Sequence, residues 1–151
     1  SEMCIRDRYE LYLKEEKVWE TKEEYRMCSS EEVSKFGREE LKMDKWDREK
    51  FVVLALNAKL EVIGYQISSI GELSSALVHP RELAKFLILS NAAATIMMHN
   101  HPSGDPTPSG EDIKTTKEIE EAMRLLRIKL MDHLIIGRNG YISLNDAGYI
   151  A

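Results

Sequence analysis

Cysteine is almost absent from this chain of 151 residues, which contains only two. Cys4 and Cys28 lie far apart and show no spacing typical of a metal site, so neither a disulfide framework nor a cysteine-ligated metal is predicted. Any metal ion would have to be bound by histidine and carboxylate side chains. A cytoplasmic location is the simplest interpretation of such sparse cysteine.

Two further features are missing: an excess of basic charge and a long apolar run. Acidic residues number 26 against 21 basic ones, which gives a net charge of -5 and argues against direct nucleic-acid binding. No apolar run is long enough to cross a bilayer, so no membrane contact is predicted. The remaining composition, 43% hydrophobic and 31% charged, is typical of a globular domain with a buried core.

The chain divides into three segments. Residues 1–8, SEMCIRDR, resemble the peptide produced when a sequencing adapter is translated, and we expect them to be an artefact without fold information. Residues 9–28 are rich in charge and are predicted to be an N-terminal extension, with an edge strand around Lys17 to Met27. Residues 29–151 are predicted to form one domain.

Hydrophobic periodicity in that domain predicts a mixed β-sheet packed by helices, an α/β or α+β fold. Helices are expected after Ser30 as N-cap, from His79 onward, and over 109–126 with an apolar stripe of Ile113, Ile119, Met123 and Leu126. Strands are expected at 50–57, 60–70, 94–99, 129–137 and 141–144, the first two as a hairpin.

The segment IMMHNHPSGDPTPSGED, residues 96–112, places metal-ligating side chains around a turn. His99 and His101 are two residues apart at the end of an expected strand, so both imidazoles point to one face. A loop rich in Pro and Gly can fold the next helix back over them, which would bring Asp112 within reach. Three such ligands would bind zinc and leave a fourth position open for water, as in catalytic zinc sites.

The same residues also have a purely structural interpretation. Ser109 and Asp112 fit a capping box, with Ser109 as the N-cap and the acid three residues later. A pair of histidines on a strand is also common as polar surface. The two interpretations are compatible, because a capped helix can still present Asp112 to a metal ion.

The complete pattern H-x-H-P-x6-S-x-x-D resembles the zinc signature of JAB/MPN (JAMM) metalloproteases, and most closely that of their RadC branch. The likeness includes HNHPSG at 99–104, and it extends through EKFVVLALN, ALVHPREL and MDHLIIG in the same order. It covers residues 28–150. The resemblance implies the JAB/MPN fold, which is similar to that of cytidine deaminases.

The resemblance also implies a role for each matching residue. His99, His101 and Asp112 match the ligands of one zinc ion per chain, and Ser109 matches the serine that stabilises the developing oxyanion. Glu49 matches the glutamate that hydrogen-bonds the water on the zinc. The implied activity is zinc-dependent hydrolysis of peptide or isopeptide bonds, with a peptide or protein as the substrate.

Several acidic residues and one histidine have competing interpretations. Glu72 and Glu82 are rivals of Glu49, which by itself would be a solvated charge in the charged run 44–50. The pair Asp132 and His133 could orient a ligand from behind, although a polar pair at a strand start is the simpler interpretation. Asp105 could stand in as a metal ligand, although a turn role beside Gly104 and Pro106 is the simpler interpretation.

Two other functions stay open at this point. RadC-like proteins commonly carry a DNA-repair label, which implies a DNA-associated accessory role. The helix-hairpin-helix region that usually precedes this domain is not recognised here, and with a net charge of -5 this argues against direct DNA contact. A metal-bound, non-catalytic scaffold for protein contacts is the other alternative, against which the intact ligand set argues.

Overall fold

The computed structural model describes residues 26–69, 71, 73 and 77–151. These residues form three α-helices, a short 3-10 helix and five strands. The elements, in chain order, are α1 (Ser30–Glu39), the 3-10 helix Met43–Lys45, β1 (Lys50–Leu56), β2 (Val62–Ser69), α2 (Pro80–Leu89), β3 (Ala94–Asn100), α3 (Gly110–Leu125), β4 (Lys129–Ile136) and β5 (Tyr141–Ser143). Within the described ranges, no helix is both long and apolar enough to cross a membrane.

The five strands form one mixed sheet in the order β2-β1-β3-β4-β5. β1 runs antiparallel to both β2 and β3, β3 runs parallel to β4, and β5 returns antiparallel to β4. The parallel step needs a crossover connection, and α3 supplies it. The predicted fold class, a mixed sheet packed by helices, is confirmed.

The sheet separates two apolar layers. On one face, α1 packs through Val33 and Phe36 onto alternate residues of β1, β3 and β4. On the other face, α2 and α3 pack through residues such as Leu87 and Met123 onto the remaining positions. β3 is buried along its whole length, and β1 is buried from Phe51 onward. Burial on both faces explains why the sequences of these two strands are mostly hydrophobic.

The start of the described region differs from the prediction in one detail. Ser29, rather than Ser30, is the N-cap of α1, because its hydroxyl accepts a hydrogen bond from Glu32 N–H while the Glu32 carboxylate accepts from the Ser29 N–H. Of the expected edge strand, residues up to 25 lie outside the described ranges. Arg26 forms an isolated antiparallel bridge with Glu61.

Candidate metal centre

The antiparallel pairing of β1 and β3 brings Glu49 beside the two histidines. Phe51 lies opposite His99, so the residue just before β1 meets the end of β3. Asn100 fixes this junction, since its side-chain oxygen accepts from Lys50 N–H at 2.8 Å and its amide donates to the Arg48 carbonyl at 2.9 Å. The amide of Asn100 thus holds the backbone on both sides of Glu49.

The loop after β3 turns the chain back across the end of the sheet. Gly104 has a φ of 96°, a conformation that favours glycine, and its N–H donates to the His101 carbonyl at 2.9 Å. The loop packs so tightly on Gly137 that a Cβ there would lie 2.4 Å from the Gly104 carbonyl oxygen. The close approach of these two segments directs the chain toward the start of α3.

The N-terminus of α3 is a capping box. The Ser109 hydroxyl accepts from Asp112 N–H at 3.1 Å, and Asp112 Oδ2 accepts from Ser109 N–H at 2.8 Å. The same Asp112 carboxylate lies against both imidazoles, with Oδ1 3.3 Å from His99 Nε2 and Oδ2 3.3 Å from His101 Nε2. The structural and the metal-ligating interpretations therefore describe one and the same arrangement.

The separations among these atoms are of the size expected between the ligands of one metal ion. His99 Nε2 and His101 Nε2 are 3.1 Å apart, and each is 3.3 Å from an oxygen of Asp112. Two ligand atoms that each lie about 2.0–2.1 Å from a tetrahedral zinc ion are themselves about 3.3 Å apart. Glu49 Oε1, 3.7 Å from His99 Nε2, completes a group whose ligand atoms all lie within 4.8 Å of one another. This group can bind a metal ion.

The orientation of His101 supports the same conclusion. Its Nδ1 lies 2.9 Å from the carbonyl oxygen of Asp105, which can only accept a hydrogen bond. Nδ1 of the neutral ring therefore carries the hydrogen, and Nε2 presents a lone pair toward the Asp112 carboxylate. Lone pairs and a carboxylate that face one another at these distances suit a cation among them.

The electrostatics distinguish the two carboxylates. Burial would raise the pKa of Asp112, but the hydrogen bonds that the His101 and His99 rings donate to it when protonated outweigh burial and hold this pKa well below its usual range. Burial also raises the pKa of Glu49, and the neighbouring His99 offsets only part of that effect. When His101 is protonated, its Nε2–H can donate a hydrogen bond to Asp112, and this raises the pKa of His101. Asp112 is thus ionised, as a ligand must be, whereas Glu49 accepts a proton more readily.

Comparison with known proteins assigns the chain to a family. A family model for the RadC-like JAB domain matches residues 27–149. The chain belongs to the RadC-like JAB domain family. The resemblance that the HNHPSG and PSGED segments indicated is confirmed.

Curated relatives of this RadC-like JAB domain are UPF0758 proteins. The protein of Methanosarcina barkeri is 45% identical over 109 residues, which is 72% of this chain. The protein of Alkaliphilus metalliredigens is 48% identical over 122 residues, which is 81% of this chain. A UPF0758 protein of Desulforamulus reducens is 52% identical over 104 residues, or 69% of this chain. The matches cover 48%, 52% and 46% of the relatives, so the chain spans about half the length of these proteins.

The RadC-like JAB domain brings four of its sequence-predicted site residues together and separates others from them. Glu49, His99, His101 and Asp112 form the cluster, and Ser109 adjoins it through the capping box. Glu82 is exposed in the first turn of α2 and is not part of the group. Glu72 lies outside the described residues. The catalytic and ligand roles of the cluster stay predictions.

The other acidic candidates, Asp105 and Asp132, accept local hydrogen bonds that hold neighbouring chain segments in place. The Asp105 carboxylate accepts from the N–H and the hydroxyl of Thr107, which is the turn role that the sequence indicated. Asp132 accepts from the Ser143 hydroxyl at 2.6 Å and from Asn145 N–H at 3.0 Å, so it fastens the chain after β5. Neither carboxylate belongs to the cluster.

His133 and Thr116 contact the cluster from behind. His133 is completely buried, with Nε2 2.7 Å from Nδ1 of His99, and burial lowers its pKa well below the usual range. The sequence indicates an orienting role for His133 but not for Thr116, whose hydroxyl lies 2.6 Å from His133 Nδ1. Thr116 could have been found from its position four residues after Asp112, because residues with this spacing lie on the same face of a helix.

Proposed function

We propose that this RadC-like JAB domain is a zinc-dependent hydrolase that cleaves peptide or isopeptide bonds. The observation that carries the proposal is the four-residue group in which the carboxylate of Glu49 lies beside two imidazoles and the Asp112 carboxylate. Two imidazole nitrogens and a carboxylate oxygen are ligands that suit zinc. His99, His101 and Asp112 would hold the ion, which leaves Glu49 for the proton transfers.

Bound zinc would supply a Lewis acid and lower the pKa of a coordinated water toward about 7. Glu49 would accept the proton of the attacking water and donate it to the leaving amine nitrogen. Its Oε1 lies 3.7 Å from His99 Nε2 and accepts a hydrogen bond from Leu73 N–H at 3.3 Å. Only 13% of its side chain is exposed, so bulk water competes little for the carboxylate.

Ser109 supports the reaction through its hydroxyl hydrogen. The capping bond uses a lone pair of the Ser109 oxygen, because this oxygen accepts from Asp112 N–H. Among the described residues this hydroxyl hydrogen has no other acceptor, so it can donate to the negative charge that develops on the substrate carbonyl oxygen. A cavity of about 220 Å³ adjoins the group at His101 and is also bordered by Trp46 and Arg138.

The proposal predicts about one zinc ion per purified chain and metal-dependent cleavage of amide bonds. Zinc content can be measured by elemental mass spectrometry, and cleavage with a panel of fluorogenic peptides and isopeptide-linked conjugates. Chelation should abolish cleavage, and added zinc should restore it. A JAB hydrolase of known activity serves as the positive control. If that control cleaves the panel and the zinc-loaded protein cleaves nothing, the proposal is wrong.

A DNA-associated accessory role is the second candidate, and only the relation to the RadC family supports it. Direct contact with phosphates would have to overcome a net charge of -5 and would weaken steeply as salt increases. We expect no mobility shift of duplex or branched DNA even at low salt. A salt-dependent shift would favour this second role instead.

A further inference from the structure

A continuous line of buried hydrogen bonds runs from the back of His99 to α3. His99 Nδ1 lies 2.7 Å from His133 Nε2, and His133 Nδ1 lies 2.6 Å from the Thr116 hydroxyl oxygen. The Thr116 hydroxyl in turn lies 2.6 Å from the backbone carbonyl oxygen of Asp112. His99, His133 and Thr116, here called the imidazole relay, are completely buried. They join β3, β4 and α3 directly behind the candidate metal centre.

The direction of every hydrogen in the relay follows from its last member. A carbonyl oxygen only accepts, so the single hydroxyl hydrogen of Thr116 points to Asp112. The Thr116 oxygen can then serve His133 Nδ1 only as an acceptor, and the hydrogen of the His133 ring lies on Nδ1. His133 Nε2 consequently has a lone pair and accepts the Nδ1 hydrogen of His99.

The consequence for His99 is a defined tautomer. With its hydrogen on Nδ1, the neutral ring presents a bare Nε2 to His101, Asp112 and Glu49. The opposite tautomer would place a hydrogen on Nε2, between the two imidazoles, where it would block a cation. A histidine ligand usually donates its second ring N–H to a carboxylate, a carbonyl or water, whereas here the acceptor is another imidazole.

We propose that His133 and Thr116 are positioning residues that fix the Nδ1–H tautomer of His99 and thereby aim its Nε2 lone pair at the metal. The proposal rests on the metal site of the proposed function. It goes beyond that function by linking the tautomer of one ligand, His99, to the backbone of another, Asp112. Rotation of α3 would separate the Thr116 hydroxyl from Nδ1 of His133 on β4, so ligand geometry and helix position are coupled.

The neighbouring Thr115 provides a matched control for Thr116. Both threonines are buried on α3, but the Thr115 hydroxyl has no hydrogen-bond partner within the part of the chain that the structure describes. Thr116→Val and Thr115→Val each replace a hydroxyl by a methyl group of similar size. Any change in packing is therefore common to both variants. Only Thr116→Val removes a member of the imidazole relay, so only this variant should change the tautomer of His99.

Zinc affinity, measured by competition with a chromogenic chelator, is the first readout. Thr116→Val should weaken binding by about 10- to 100-fold, the usual effect of losing a partner behind a metal ligand. Thr115→Val should bind as the wild-type protein does, and Thr116→Ser, which keeps the hydroxyl, should retain most of the affinity. Equal affinities of Thr116→Val and Thr115→Val would overturn the proposal.

The tautomer itself is the second readout and needs neither zinc nor activity. Long-range ¹H–¹⁵N NMR of the imidazole nitrogens in the metal-free wild-type protein, at mildly alkaline pH, should show His99 and His133 both protonated on Nδ1. Protonation of His99 on Nε2 would contradict the proposal, even if Thr116→Val failed to fold. Because this measurement is made without metal, it remains decisive if the hydrolase proposal fails.

Discussion

Replacement of Asp112 by asparagine is expected to lower zinc affinity by about 100-fold or more while α3 stays capped. The Asp112 carboxylate both caps the helix and faces the candidate metal position. It accepts a hydrogen bond from Ser109 N–H at 2.8 Å, and its oxygens lie 3.3 Å from Nε2 of His99 and of His101. An asparagine amide oxygen can still accept the Ser109 hydrogen but carries no negative charge for the cation. Loss of a residue that hydrogen-bonds a metal ligand typically lowers metal affinity by about 10- to 100-fold, so loss of a ligand itself should lower it by more.

Ser109→Ala is the complementary variant, since it removes the cap and leaves the ligand. Loss of the hydroxyl that accepts from Asp112 N–H should cost about 1 kcal/mol of unfolding free energy, with zinc affinity changed far less than in Asp112→Asn. Zinc titration and denaturant unfolding of the metal-free proteins measure the two effects separately. Should Asp112→Asn retain wild-type zinc affinity, Asp112 would be a helix cap and not a ligand.

The sheet was predictable where local sequence alone determines the structure. The segments KFVVLAL and ATIMMH are apolar on both faces because β1 and β3 lie in the middle of the sheet, and both strands were found close to their expected limits. The alternation of side chains along a strand was sufficient to place His99 and His101 on one face. These inferences need no knowledge of which elements pair.

The core face of α3 was predicted only in part. Ile119 and Met123 are buried as expected, but Leu126 is 45% exposed. The first half of the helix instead buries Asp112, Thr115 and Thr116, which carry polar atoms. An apolar stripe cannot reveal this face, because here α3 packs against the candidate metal centre and His133 rather than against hydrocarbon.

The surroundings of Glu49 could not be inferred from its local sequence. Its charged neighbours are typical of a solvated run, yet only 13% of its side chain is exposed. The cause is nonlocal, since the pairing of Phe51 with His99 and the bonds of Asn100 to Arg48 and Lys50 bring the start of β1 to the end of β3. Only the family resemblance directed attention to Glu49.

Replacement of Glu49 by glutamine should reduce hydrolysis by about 100- to 10,000-fold while zinc remains bound. The glutamine oxygen can still accept from Leu73 N–H, but the amide cannot take a proton from water at neutral pH. Since burial raises the pKa of Glu49, the ionised carboxylate is disfavoured in the folded protein, and a neutral amide is not expected to unfold it.

Glu82→Gln is the matched control for Glu49→Gln, because it makes the same chemical change at an exposed position in the first turn of α2. It should leave both zinc content and the cleavage rate at their wild-type values. Rates with a fluorogenic substrate and zinc measured by elemental mass spectrometry separate three outcomes for Glu49→Gln. Retained zinc without cleavage supports a proton-transfer role, and lost zinc would make Glu49 a fourth ligand. An unchanged rate would exclude Glu49 from the reaction and favour a metal-bound scaffold or another base.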